Sequence, residues 1–265
     1  MLTMLNLKSM LPADLQTLRA AKHKMEEIGW AMRNLNKLGN VIEDKVKHLP
    51  KKRQDWLQQL SYKVLHTVVK TNLMTMKNNK VKGAPLNKTY KALVTSSGIL
   101  GGALGATAFG VDLMVSTKLM MRSIMDIARS EGEDLTELDT QLACLQVFAL
   151  GGKTIHDDSL DTGYYASRVV IGSAVKGGTK ALEGWLMGSG NSLVKFIAAI
   201  AARFSVQVSE KFVAQAIPVI GAAGGASINL AFIHHFQNMA HAHFSIRRLE
   251  RLYGEATVKN AYEAL

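Results

Sequence analysis

The sequence predicts an all-α protein: a multi-helix bundle with Gly/Ala-rich apolar hairpins, preceded by basic amphipathic helices. Three observations carry this reading. Apolar residues recur at three- and four-residue spacings, the helical period. No stretch sustains the two-residue alternation of a half-buried strand. Two long uncharged runs combine aliphatic residues with glycine and alanine, which suits closely packed helix pairs.

The elements follow in order. Leu11, Leu15, Leu18, Met25, Ile28, Met32, Leu35, Ile42, Val46 and Leu49 fall at helical spacings or their sums. They predict one amphipathic helix or a pair broken near Gly39, and Pro50 stops it. Trp56, Leu57, Leu60, Val64, Val68 and Leu73 continue the pattern in a second helix. Lys77 to Pro85 is polar, with Gly and Pro, and reads as a linker. The chain accordingly divides into a basic helical region, 1–84, and a second helical domain, 85–265.

The composition then changes. Residues 92–111 and residues 212–233 carry no charge. The second run has 22 residues and would reach about 33 Å as one helix, enough to cross a bilayer core. Gln215, Asn229, Pro218 and its glycines work against insertion, so a buried soluble core is the competing reading. Gly101, Gly105, Gly221 and Gly225 are expected where helices approach most closely. Between the runs, Asp112 to Gly132 reads as a helix with Met120, Met121, Ile124 and Ile127 apolar. On its polar face Arg122, Asp126 and Arg129 are spaced for ion pairs. Residues 131–139 form an acidic loop. Leu142 to Leu150 reads as an apolar helix ended by Gly151-Gly152. Arg168 to Leu186 and Ser192 to Ala202 add two more.

Charge is unevenly placed. Residues 1–91 hold 18 Lys+Arg against 6 Asp+Glu, and residues 92–265 hold 14 against 15. The whole basic excess therefore lies in the first third. Its densest stretch is Lys45, Lys47, Lys51, Lys52 and Arg53, with His48 among them. Such a segment seeks a polyanion (anionic membrane lipid first, otherwise nucleic acid or an acidic protein face) unless it is simply a solvated helix face. Nucleic acid is disfavoured, because no recognition motif accompanies the charge. One cysteine excludes a disulfide framework, and Cys144 reads as an inert core thiol. The first ten residues lack the apolar core of a signal peptide, so a cytoplasmic location is expected.

Toward the end the chain reads Pro218-Val-Ile-Gly221, then Asn229, Phe232, His235, Phe236, Ala240, His243, Phe244, Arg247, Arg248, Leu249 and Tyr253-Gly254. With the Gly-rich run, Asp112, the Arg129-to-Gly132 segment and Leu150-Gly151-Gly152, this resembles the EcsC protein family over roughly residues 90–254. The resemblance implies a helical, membrane-associated protein without a defined activity, and it supplies no catalytic residues. The namesake gene stands beside an ABC exporter, which makes a membrane transporter or another membrane protein a candidate partner.

The candidate site residues are Asp112, Asn229, His235, His243 and Arg247. On a helical wheel His235 and His243 lie within the apolar stripe, about 12 Å apart in rise. They cannot chelate one ion, and hydrogen-bonded core histidines are the simpler reading. His234 and His241 share the opposite side, about 10.5 Å apart. His156-Asp157-Asp158 resembles a helix cap more than a ligand set. No metal site or cofactor is expected. Asp112 is either a capping or interface residue, or a costly internal group with a cationic partner. The leading expectation is a non-enzymatic protein at the cytoplasmic membrane face, binding lipid there. The competing one is a hydrolase whose helical core gathers Asp112, Asn229, His235 and His243 around an apolar substrate.

Overall fold

The computed structural model describes residues 10–26, 37–73, 84–101, 105–151, 164–173 and 191–265. Among these residues 89% are α-helical and none is in a strand. Ten helices follow one another: α1 (Pro12–Glu26), α2 (Lys37–Lys47), α3 (Lys51–Leu73), α4 (Asn87–Gly101), α5 (Gly105–Ser130), α6 (Leu138–Gln146), α7 (Tyr164–Ser173), α8 (Asn191–Ala216), α9 (Pro218–Tyr253) and α10 (Glu255–Ala264).

Helix α9 is the spine. Its 36 residues run about 54 Å, and α4, α1, α5, α8 and α10 pack along it. Both ends have a local cause. Pro218 stands at the first helical position, where its missing N–H costs nothing and its fixed φ suits the helix. Gly254 ends it at φ +85°, its N–H reaching Glu250 O at 2.9 Å. A residue with a side chain strains there. Helix α8 packs on α3, α2 and α9, and α5 on α4, α3 and α9. A ladder of rings from Phe148, Phe204, Phe232 and Phe236, with centroids 5.1–6.2 Å apart, fills the middle.

Several expectations change here. Residues 212–233 do not form one helix: Phe212 to Ala216 end α8, Ile217 is extended, and Pro218 opens α9. Proline disfavours the helical conformation of the residue before it, so the break falls there. No helix among the described residues is long and apolar enough to cross a membrane. The run 92–111 is likewise divided between α4 and α5. Helix α5 starts at Gly105, seven residues before Asp112, so Asp112 does not cap it. Helix α6 begins at Leu138, earlier than expected, and Val147–Ala149 tighten into a 3-10 turn. Gly39 lies inside α2. The stretches 77–83, 152–163 and 174–190, including the His156-Asp157-Asp158 segment, lie outside the described residues.

Met120, Met121, Ile124 and Ile127 are buried as expected, and Asp126 pairs with Arg129 at 2.6 Å. Helices from both parts of the chain share one core: Leu57, Val64 and Val68 of α3 bury in it with Phe204 and Phe236.

Candidate functional site

The site residues read from the sequence occupy successive levels along α9. At the first level, Asp112 and Asn229 meet. Asn229 Nδ2 donates to Asp112 Oδ1 at 2.8 Å and to the Val94 carbonyl at 3.1 Å. Lys211 of α8, fully buried, places Nζ 2.8 Å from Asp112 Oδ2 and 3.1 Å from Ser116 Oγ. Its ammonium also stands 5.0 Å from the Phe232 ring centroid. Burial alone would raise the Asp112 pKa. Attraction and a hydrogen bond from Lys211, with hydrogen bonds from Asn229 and Gln215, outweigh it and hold the carboxyl below its ordinary value. Burial lowers the Lys211 pKa, against the pull of Asp112. The knot thus joins α4, α5, α8 and α9 through charges that neutralise each other.

At the second level, Gly151 lies against His235 and Met239 of α9, and Gln207 of α8 donates to the Leu150 carbonyl at 3.0 Å. At the third, His243 Nδ1 and Tyr164 Oη share a 2.8 Å hydrogen bond with both residues buried. Burial, then the charges of Arg168 and Arg247, push the His243 pKa well down and keep the ring neutral. Arg168 beside it pairs with Glu250 at 2.6 Å, and Tyr165 donates to the same carboxylate at 3.0 Å. At the fourth, Arg247 holds Glu133 at 2.8 Å and Asp139 at 2.7 Å. Arg251 brings a second cation to Glu133, and Arg248 holds Glu131 at 3.0 Å. This last group clamps the acidic loop onto the spine.

The structure therefore brings Asp112 and Asn229 together, and gives His235, His243 and Arg247 other partners. The hydrolase reading requires the first four polar groups to converge, and along α9 they do not. Among the described residues, no group of three or more His, Cys, Asp or Glu could hold a metal ion. Cys144 is buried, and burial pushes its thiol far above the ordinary range. Of the glycines, Gly225 is buried; the surroundings of Gly101, Gly105 and Gly221 lie outside the described residues.

The second assembly is on the surface. Lys47 ends α2 and Lys51 opens α3, so Pro50 turns the basic stretch through a corner. Lys45, Lys47, His48, Lys51, Lys52 and Arg53 are all exposed. Lys47 pairs with Glu43 at 3.0 Å and Lys51 with Asp55 at 3.0 Å. Lys45, Lys52 and Arg53 have no carboxylate partner among the described residues. Arg53 instead stands 5.9 Å from the ring centroids of both Trp56 and Phe212. Trp56 packs on Phe109 and Phe212, with centroids 6.2 and 5.8 Å away, and those two rings are 5.2 Å apart. Phe109 belongs to the first uncharged run and Phe212 to the second. The basic corner thus sits at the end of the bundle where α5 starts, α8 ends and α9 starts.

Sequence reading missed Lys211, Tyr164 and Glu210. Glu210 of α8 is half-buried, with its Oε2 fully so, and that oxygen has no hydrogen-bond partner among the described residues. Burial, then the neighbouring Glu43, raise its pKa to about 8 from an ordinary 4.5. The folded chain keeps a proton that the unfolded chain releases, so stability falls as pH rises from 4.5 to about 8. Glu210→Gln should leave the melting temperature near wild type at about pH 5 and raise it increasingly up to about pH 8.5, past the folded pKa. An offset independent of pH across those melts would sink this assignment.

The fold and these sites define a class: an all-helical bundle with ion pairs buried along a central helix and cations gathered at one end. The chain belongs to the EcsC protein family, whose model matches residues 13–249. No curated protein and no solved structure matches it. The match reaches through α1, α2 and α3, a basic region in which sequence reading found no motif.

Proposed function

We propose that the basic corner and the adjoining ends of the uncharged runs form a membrane-attachment surface. The protein is then a non-enzymatic EcsC-family protein bound to the cytoplasmic face of the membrane. The observation that carries this is that Arg53 stands over Trp56 and Phe212, and Trp56 packs on Phe109 and Phe212. It brings the densest cationic stretch beside one end of each uncharged run. Cations near an anionic leaflet contribute about 1 kcal/mol each. Tryptophan favours the boundary between water and hydrocarbon. Attachment is peripheral, with electrostatics and shallow apolar contact acting together.

Sedimentation of the full chain with vesicles tests this. Binding should require anionic lipid and should weaken strongly at about 0.5 M salt, where exposed charges are screened within a few ångströms. Lys52→Glu with Arg53→Glu should weaken binding about thirtyfold or more, since at least about 2 kcal/mol of attraction is lost. Equal binding to neutral and anionic vesicles, or none to either, would refute the proposal.

A further inference from the structure

A groove of about 450 Å³ opens beside the basic corner, between the end of α2 and the end of α8. That volume lies within the range of small-ligand sites. Leu49 forms its wall on the α2 side, and Phe212, Val213 and Ala216 form the wall on the α8 side. Among the described residues, the polar ones lining it are Lys45 and His48, and no carboxylate lines it. Lys45 has no carboxylate partner among the described residues, and Arg53 stands over the Phe212 ring at 5.9 Å. Helix α3 opens beside the groove with no acidic residue in its first turn, so its N-terminal partial charge adds to the same sign.

We propose that this groove holds one anionic phospholipid. One acyl chain lies along Leu49, Phe212, Val213 and Ala216, and the headgroup phosphate meets Lys45, Arg53 and the start of α3. Charge complementarity selects this occupant. A small inorganic anion would leave the apolar wall wet, and a zwitterionic lipid would bring its own quaternary ammonium against Lys45 and Arg53. Only an anionic amphiphile satisfies both. The proposal rests on the membrane reading for the source of the lipid, but adds a stoichiometric site for a single molecule.

Calorimetric titration of the full chain tests it, with dihexanoyl phosphatidylglycerol, dihexanoyl phosphatidylcholine and inorganic phosphate, the lipids kept below their micelle thresholds. The glycerol lipid should bind saturably, one to one, and the choline lipid and phosphate at least tenfold more weakly. Lys45→Glu removes the cation at the rim, and Ala216→Trp fills the groove from an exposed position. Both should weaken binding at least tenfold while the melting curve is retained. Equal affinity for the choline lipid would overturn the headgroup assignment. No saturable binding, or binding indifferent to either variant, would overturn the groove. If anionic vesicles still sediment the chain when the monomeric lipid does not bind, the groove fails and the attachment surface stands. Monomer binding without vesicle binding gives the reverse.

Discussion

Lys211→Ala should be among the most damaging single changes in this chain, costing about 3–5 kcal/mol, the usual loss when one member of a buried ion pair is removed. Asp112 would keep its place between α5 and α9 with no cation to balance it. It must then ionise at great cost or take up a proton and lose hydrogen bonds. In a large domain each kcal/mol moves the midpoint about 2–4 °C, so a drop of roughly 6–20 °C is expected. Asp112→Asn should also destabilise, because it strands the ammonium. The double variant Asp112→Leu with Lys211→Met should recover most of the loss, since an apolar pair of similar volume is often as stable as the buried ions. A Lys211→Ala midpoint within a degree of wild type would mean that the pair does not hold the four helices together. The depressed Asp112 pKa adds a sign. Its contribution is complete above the ordinary carboxylate range and disappears as pH falls through the folded value.

Asp112 and Asn229 were legible from the sequence because Asp112 closes the first uncharged run and Asn229 is a polar amide inside the second. A polar residue there must find a partner if the segment is buried. Their partner was not. Lys211 stands between Glu210 and Phe212, and read locally it is the charged border of the second uncharged run. The signal that could have found it is periodic. Phe204, Val208, Lys211 and Gln215 follow spacings of four, three and four, which put the lysine on the buried stripe of α8. Sequence reading ended that helix at Ala202, so the stripe was cut before it reached Lys211. The basic corner was legible as charge and not as place. Its contact with Phe109 and Phe212 joins three segments that are distant in sequence, and no local pattern encodes such a meeting. The break at Ile217 is itself written in the sequence, because proline restricts its predecessor whatever the surroundings. The helical composition was the easiest part, since periodicity is repeated along the whole chain. The His235 and His243 pattern gave burial correctly and gave nothing about partners. Tyr164 lies 79 residues from His243.

Gly151→Ala should cost about 2–5 kcal/mol, combining two separate effects. Gly151 adopts φ +71°, a left-handed conformation that costs a residue with a side chain about 1–2 kcal/mol. An added Cβ would also stand 2.7 Å from His235 Cε1 and press on Met239 Sδ. The thioether can swing aside. The imidazole cannot easily do so, because His235 is 1% exposed and its ring centroid lies 5.0 Å from that of Phe236. Overpacking of this kind typically costs about 1–3 kcal/mol. Gly132 separates the two effects. It follows α5 at φ +86° in a left-handed cap, with Gly132 N–H to Arg129 O and Glu133 N–H to Ala128 O both at 3.1 Å, and the Cβ it would gain meets only Arg251 Nη2, at an ordinary 3.5 Å. Gly132→Ala should therefore show the conformational cost alone, and Gly151→Ala should exceed it by the packing cost. Adding Met239→Ala to Gly151→Ala should not restore wild-type stability, because the contact with His235 and the left-handed backbone both remain. Chemical denaturation of the three variants would measure the difference. If Gly151→Ala and Gly132→Ala lose the same free energy, the close approach to His235 imposes no constraint, and only the backbone conformation requires glycine at 151.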